Sequence, residues 1–354
     1  MAPSDLPDTP PDTPPAPAST PVAAPPYADA GDVVTDVLGA PWTAETLGLP
    51  PDEEGPVVAT LVHHPTTHPT GRAVLHVHGF ADYFFQVEYA QWWTERGYDF
   101  YALDLRKYGR SIRPHQTPTY VADLTDYFAE TDLAWSRITE RDGHDHVVLS
   151  AHSTGGLSMS LWADSRQPEA LAGVALNSPW FDLQGAPWMQ SAAANRALEV
   201  IGRRSPMREL GRDVNGFYAR SLHREHDGEW DFDLTWKPVT SFPVRFGWLR
   251  AIRQGQARLH AGLSVLAPVL VLSSAATRRP HEMGEDVHTH DIVLDVPQIR
   301  QWATAIGPHV TYVAVDGAKH DVVLSRPPVR KVVYTELGRW LGAYVERRTS
   351  MVLE

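Results

Sequence analysis

Six short apolar runs set the pattern of the chain, at residues 73–78, 99–103, 146–150, 171–176, 268–272 and 310–315. Each has the length of a strand and is apolar at most positions instead of every second one. That is the pattern of strands covered on both faces, as in a parallel sheet flanked by helices. The stretches between them carry apolar residues at helical spacing, at 87–96, 124–139, 157–166, 296–305 and 329–345. Strands alternating with helices predict an α/β fold: a mostly parallel central sheet, flanked by helices and wound with right-handed crossovers. Two earlier runs, near Val33–Val34 and at 57–62, read as antiparallel edge strands.

One stretch breaks the rhythm. From about 180 to 267 no strand–helix alternation is visible, and aromatics and arginines are frequent, among them Trp188, Phe217, Tyr218, Trp230, Trp236, Phe246 and Trp248. Long structureless insertions are uncommon in compact domains unless they serve a function. The reading is an inserted, mostly helical cap over residues 180–267, with the core formed by 29–179 and 268–354. An ordinary excursion packed on the domain is the alternative.

Residues 1–28 repeat Pro, Ala, Asp and Thr. Such a segment cannot bury enough apolar surface to offset chain entropy, so a disordered tail is expected. A proline-recognition ligand is the functional alternative. The tail has neither a basic start nor an apolar stretch and does not read as a secretory signal. No later segment reaches ~18 uninterrupted apolar residues, so no transmembrane segment is expected, and the protein reads as cytoplasmic.

Composition narrows the chemistry. The chain has 354 residues, 43% of them hydrophobic, enough for one large domain with an insertion. Its formal net charge of -12 argues against nucleic acid as a partner. It has no cysteine, which excludes disulfides and thiolate catalysis. No Gly-rich phosphate cradle follows the first core strand, so no dinucleotide cofactor is expected.

The candidate chemistry centres on 146–156, His-Val-Val-Leu-Ser-Ala-His-Ser-Thr-Gly-Gly. A strand there runs into a sharp turn and then a helix, with Ser153 at the turn. Neighbours two residues before and after must be small, and Ala151 and Gly155 are. A serine capping the helix is the bland alternative. His78-Gly79-Phe80 ends the first core strand, and Asp316-Gly-Ala-Lys-His320-Asp321 follows the last one.

Together these motifs resemble the α/β-hydrolase superfamily, in particular serine aminopeptidase S33 and monoacylglycerol lipase (lysophospholipase)-like enzymes. Ala151 stands where the family's elbow has its first Gly. The resemblance implies Ser153 as nucleophile, His320 as base, and the amides of Phe80 and Thr154 as the oxyanion hole. It places the acid after the preceding strand, where Asp291-Ile-Val fits; Asp295 and Asp286 are the alternatives. Asp104-Leu-Arg-Lys-Tyr-Gly-Arg-Ser111 looks like a family turn of structural role. No cofactor is implied.

The expected activity is hydrolysis of a small-molecule carboxylic ester, with a hydrophobic acyl group, as in a monoacylglycerol or lysophospholipid. An aminopeptidase or amidase of the same fold, and a non-catalytic ligand-binding homologue, are the alternatives. Tyr83, Phe84, Trp180 and Phe181 are expected to line an apolar pocket, though core packing accounts for any single one of them. The His281/Glu282/His288/His290/Asp291 cluster has zinc-compatible side chains, but it occupies a loop insertion next to the proposed acid and no metal is expected. Oligomeric state is not encoded in any recognisable motif.

Overall fold

The structure is a computed structural model that describes residues 31–184, 191–211 and 214–346. The Pro-rich segment expected to be a tail, 1–28, lies outside the described residues.

Among the described residues nine strands, numbered along the chain, form one open sheet in the order β1-β2-β3-β5-β4-β6-β7-β8-β9. The six expected core strands are β4 (Arg72–Val77), β5 (Tyr98–Asp104), β6 (His146–His152), β7 (Leu171–Asn177), β8 (Val269–Ser274) and β9 (Val310–Val315), all parallel to their neighbours within that set. Successive side chains of a strand leave on opposite faces. Leu75 and Val77 therefore join one apolar cluster and Val74 the other; Val147 and Leu149 face away from Val148 in the same way. The first cluster is closed by helices α2 (Tyr127–Ser136), α3 (Thr154–Arg166), α6 (Phe246–His260) and α8 (Val296–Ala303). The second is closed by α1 (Val87–Thr94) and α9 (Pro327–Trp340). Two-sided burial is why β4 to β8 read as continuous apolar runs; β9, at the edge of the sheet, is only half-buried.

The two antiparallel strands expected at the other edge of the sheet are present, with a third between them that was not expected. β1 (Val33–Thr35) and β3 (Gly55–His64) do not pair with each other. Each pairs with β2 (Thr43–Asp52), which lies between them. β2 is Thr-Ala-Glu-Thr-Leu-Gly-Leu-Pro-Pro-Asp; its Gly48 and two prolines hide it from a propensity reading. The prolines sit where the ladder register shifts, between Leu49 and Asp52, a place that spares them a donor role.

Between β7 and β8 the chain carries α4 (Ala192–Arg204), α5 (Phe217–Arg220) and α6, with no strand among the described residues there. A short α7 (Glu285–Thr289) interrupts the loop between β8 and α8. α6 packs into the first apolar cluster through Trp248, Ala251, Ile252 and Leu259. Residues 218–237 reach instead to the loops that follow β4 and β9. Tyr83 Oη accepts the Asp233 amide at 2.7 Å, and Trp230 Nε1 donates to the carbonyl of Leu324.

Parallel register sets the site. Val77 lies beside Ala151, His152 beside Asn177, and Ser274 beside Val315. The loops leaving β4, β6, β7, β8 and β9 therefore open at one edge of the sheet, the carboxyl ends of the strands, where open α/β sheets bind ligands.

Candidate active site

Ser153 follows β6 directly and precedes the first residue of α3. Its backbone is at φ 52°, ψ -116°, a conformation that costs an ordinary residue about 1–3 kcal/mol and persists only where its surroundings enforce it. The enforcement is visible. The Ser153 amide donates to Asn177 O at 3.0 Å, and the Ser153 carbonyl accepts the Trp180 amide at 2.9 Å. Gly156 lies so close to Pro179 that a Cβ there would be 2.6 Å from the Pro179 Cβ. Ser153 holds the N-cap position of α3, yet its side chain makes no capping bond. The hydroxyl is directed elsewhere.

It lies 3.1 Å from His320 Nε2, across 167 residues of sequence. His320 Nδ1 donates to Asp291 Oδ2 at 2.9 Å. The other Asp291 oxygen accepts the amides of Val293 and Leu294 at 2.8 and 2.7 Å. Burial raises the pKa of this fully enclosed carboxyl, but the imidazole and the two amides outweigh burial and hold it below its usual value. The carboxylate acceptor fixes the proton of His320 on Nδ1 and leaves Nε2 free to accept from the serine hydroxyl. Of the two other acids considered, Asp295 pairs with Arg279 and Asp286 with His290.

The loop carrying His320 is anchored by its neighbour. Asp321 accepts Asn177 Nδ2 at 2.6 Å and Gln86 Nε2 at 3.3 Å, and the Asp321 amide donates to Tyr218 Oη at 3.1 Å. Asn177 thus holds the serine turn through its main chain and the histidine loop through its side chain. His152, just before Ser153, has its ring 4.8 Å from that of His320 and donates Nδ1–H to Asn177 O. Burial pushes its pKa down, so it stays a neutral wall of the site.

The turn after β4 faces the serine. A Cβ on Gly79 would sit 3.0 Å from Ser153 Cβ and 3.1 Å from the His152 ring. Glycine is what allows this approach. His78 is a brace: Nδ1 donates to Gly79 O at 2.7 Å, and Nε2 accepts the Leu105 amide at 3.1 Å. The Phe80 amide has no hydrogen-bond partner among the described residues. Thr154 is the first residue of α3, so its amide has no acceptor within the helix. The 104–111 turn is indeed knitted to this region. Asp104 accepts the Phe84 amide and the Arg110 side chain at 3.0 and 2.8 Å.

Ser153 and His320 open into a cavity of about 940 Å³. Phe80, Trp180 and Trp248 form one wall, with ring centroids 4.3 Å apart for Phe80–Trp248 and 5.8 Å for Trp180–Trp248. Leu210, Val239 and Phe242 come from the inserted segment, and Arg279, His281 and Val293 from the acid-bearing loop. Trp180 lines the cavity as expected. Tyr83, Phe84 and Phe181 do not: they are buried in the apolar clusters instead. Trp180 sits in a tight turn, with the Phe181 amide donating to the Pro179 carbonyl at 3.1 Å, and the two neighbouring rings enter different spaces. Among the lining residues not anticipated from sequence are Asp82 and Lys237, which form a buried ion pair at 2.8 Å. Asp82 stands two residues beyond Phe80, a signal that could have been read; Lys237 carried none.

An open, mostly parallel sheet flanked by helices, with a strained serine held between a strand and a helix, has the architecture of an α/β-hydrolase fold. The chain belongs to the family described as serine aminopeptidase, S33, whose model matches residues 68–324. Similar solved structures share that fold. A monoacylglycerol lipase of Paleococcus ferrophilus is 19% identical, with TM-score 0.58, covering 80% of this chain and 98% of its own. A soluble variant of the monoglyceride lipase of Saccharomyces cerevisiae, solved with a substrate analogue, is 18% identical, with TM-score 0.60 and coverage of 90% and 98%. A thermostable carboxyl esterase of Bacillus coagulans, solved with glycerol, is 12% identical, with TM-score 0.60 and coverage of 85% and 99%. No curated protein matches the chain by sequence.

Proposed function

We propose that the protein is a serine hydrolase that cleaves carboxylic esters through an acyl-enzyme. The observation that carries this reading is the chain from Ser153 Oγ to His320 Nε2, and from His320 Nδ1 to Asp291, at the mouth of a cavity. Ser153 Oγ attacks the ester carbonyl while its proton passes to His320 Nε2. The carbonyl oxygen, now an oxyanion, accepts from the amides of Phe80 and Thr154; each such donor is typically worth about 3 kcal/mol of barrier. The tetrahedral adduct collapses, the C–O bond breaks, and the leaving alkoxide takes the proton from His320 and departs as an alcohol. Water then attacks the acyl-enzyme, gives its proton to His320, and the acid leaves as the proton returns to Ser153 Oγ. Asp291 stays ionised throughout and stabilises the imidazolium.

The substrate reading follows from the cavity wall. Phe80, Trp180 and Trp248 offer an apolar, aromatic surface for an acyl or alkyl group, as a monoacylglycerol or lysophospholipid carries. Residues 180–267 act as the cap that roofs it. An aminopeptidase needs a free carboxylate for the substrate amine. Among the described residues the two carboxylates that line the cavity are both neutralised, Asp82 by Lys237 and Glu209 by Arg245, and this favours the ester.

The test combines a fluorophosphonate probe, peptide mass mapping, and p-nitrophenyl esters of graded chain length. The expected result is one label, on Ser153, and loss of both labelling and turnover in Ser153→Ala. Full esterase activity in Ser153→Ala overturns the mechanism. A folded protein that neither labels nor turns over an ester returns the non-catalytic binding reading.

A further inference from the structure

Asp82 and Lys237 are the feature of the cavity that the reaction above does not use. They are separated by 155 residues, one in the turn after β4 and the other in the inserted segment. Asp82 is 2% exposed and Lys237 5%, so the pair is withdrawn from water while lining the space that Ser153 opens into. Such a pair is weak evidence of net stability, because desolvating two charges offsets most of their attraction. Its location needs another account.

The turn that Asp82 belongs to is strained. Ala81 has φ 49°, a left-handed conformation that a residue with a Cβ rarely adopts and holds only under constraint. Ala81 directly follows Phe80, whose amide has no hydrogen-bond partner among the described residues and is the oxyanion donor proposed above. On one side the constraint is Gly79 packed against Ser153. On the other it is Asp82. One oxygen of Asp82, Oδ1, accepts the Tyr83 amide at 3.0 Å and Lys237 Nζ at 2.8 Å, so a single atom ties the turn to the inserted segment. Lys237 is itself held. Its amide donates to Asp233 O at 2.9 Å, and the Asp233 amide donates to Tyr83 Oη at 2.7 Å. The rings of Phe85, Tyr218 and Phe232 surround its ammonium, each centroid 5.8 Å away. The ammonium therefore has a fixed place and a single carboxylate partner among the described residues.

We infer that Lys237 is a positioning residue: from the inserted segment, and through Asp82, it fixes the 80–82 turn so that the Phe80 amide points at the oxyanion. The inference rests on the ester-hydrolase reading above. An amide displaced by a fraction of an ångström still lets substrate bind but no longer meets the developing charge. Loss of Lys237 therefore lowers kcat and leaves KM nearly alone.

The experiment measures kcat per active site, with sites counted by fluorophosphonate titration so that unfolded protein drops out. Lys237→Met should lower kcat per site by roughly 10- to 100-fold while KM stays within about threefold. Asp82→Asn, an isostere that keeps the Tyr83 contact, should do the same by a smaller factor. The double variant should be no worse than Lys237→Met alone, because both act through one contact. Lys237→Arg keeps the charge and should recover a clear part of the loss. The inference is overturned if Lys237→Met has wild-type kcat per site, if the two single effects multiply, if Lys237→Arg loses as much as Lys237→Met, or if KM alone rises, which would make Lys237 a substrate contact. Wild-type protein that takes no probe at Ser153 is a different result: it removes the underlying mechanism and this inference with it.

Discussion

Gly155 of the serine turn lies against the backbone of His78 at the end of β4. A Cβ on Gly155 would collide with the His78 carbonyl oxygen and come within 2.9 Å of that of Val77. Both obstacles are backbone, so no rotamer change relieves them. Gly155→Ala must push α3 away from β4 and carry Thr154, the residue before it, with it. The expected cost is about 1–3 kcal/mol of stability, as for other overpacked sites. The rate should fall more sharply, by at least roughly 100-fold, since the two amides proposed as oxyanion donors belong to the two elements being separated. Urea unfolding read beside titrated kcat checks both. A variant with normal kcat would mean that the contact does not set the site.

Asp291 and Asp295 are four residues apart and make opposite predictions. Asp291 is fully buried and bonded to His320, whereas Asp295 pairs with Arg279 at a more exposed position. Asp291→Asn should reduce kcat by about 10⁴-fold, because an amide in place of the acceptor favours the wrong imidazole tautomer. Asp295→Asn loses one surface ion pair, worth ~0–1 kcal/mol, and should keep near-wild-type kcat. Steady-state rates of the two variants on one ester decide between the acids. The reverse ranking would move the acid to Asp295.

The contrast between these two carboxylates also shows where sequence reading stops. Five of the six parallel strands, β4 to β8, were legible because burial on both faces leaves an unbroken apolar run. Ser153 and His320 were legible because the fold fixes them to particular turns. Asp291 could be placed in a loop but not chosen over its neighbours, since the choice depends on which carboxylate meets an imidazole 29 residues away. β2 was invisible because its pairing partners, not its own propensities, make it a strand. Tyr83, Phe84 and Phe181 were assigned to the pocket on proximity alone. Proximity in sequence does not tell which face a side chain takes. Lys237 was out of reach, as its meaning lies wholly in Asp82.

Trp180 is the expected pocket residue that the cavity contains, and it is only partly buried. Its indole stands 5.8 Å from that of Trp248. Trp180→Ala removes apolar wall without opening the core, so binding should suffer more than chemistry. For esters with a large apolar group, KM should rise by roughly 10-fold, the loss of ~1.4 kcal/mol of buried contact. For acetate esters it should hardly move. A p-nitrophenyl ester series of increasing chain length measures this directly. An equal rise at every chain length would place the apolar group elsewhere in the cavity.

Lys319, next to His320 in sequence, makes the last prediction, one of stability and not of rate. Its Nζ donates to the Ser221 carbonyl at 2.6 Å, and no carboxylate pairs with it among the described residues. Burial pushes its pKa from the ordinary 10.5 down to about 8; Glu229 opposes that change, while Arg326 and Arg330 add to it. Below pH 8 the lysine is charged in both the folded and unfolded states, and the burial penalty is constant. Between about 8 and 10.5 the folded state has released the proton while the unfolded chain still holds it. The unfolded state then binds more protons, so stability must rise with pH across that window. A pKa difference of this size between the two states corresponds to a rise approaching roughly 3 kcal/mol. Lys319→Met has no such proton to lose. Urea unfolding of both proteins at pH 7.5 and pH 10 cancels every other titration common to them. Wild type should gain on the variant between the two pH values, and parallel behaviour would show that Lys319 keeps an ordinary pKa through another partner.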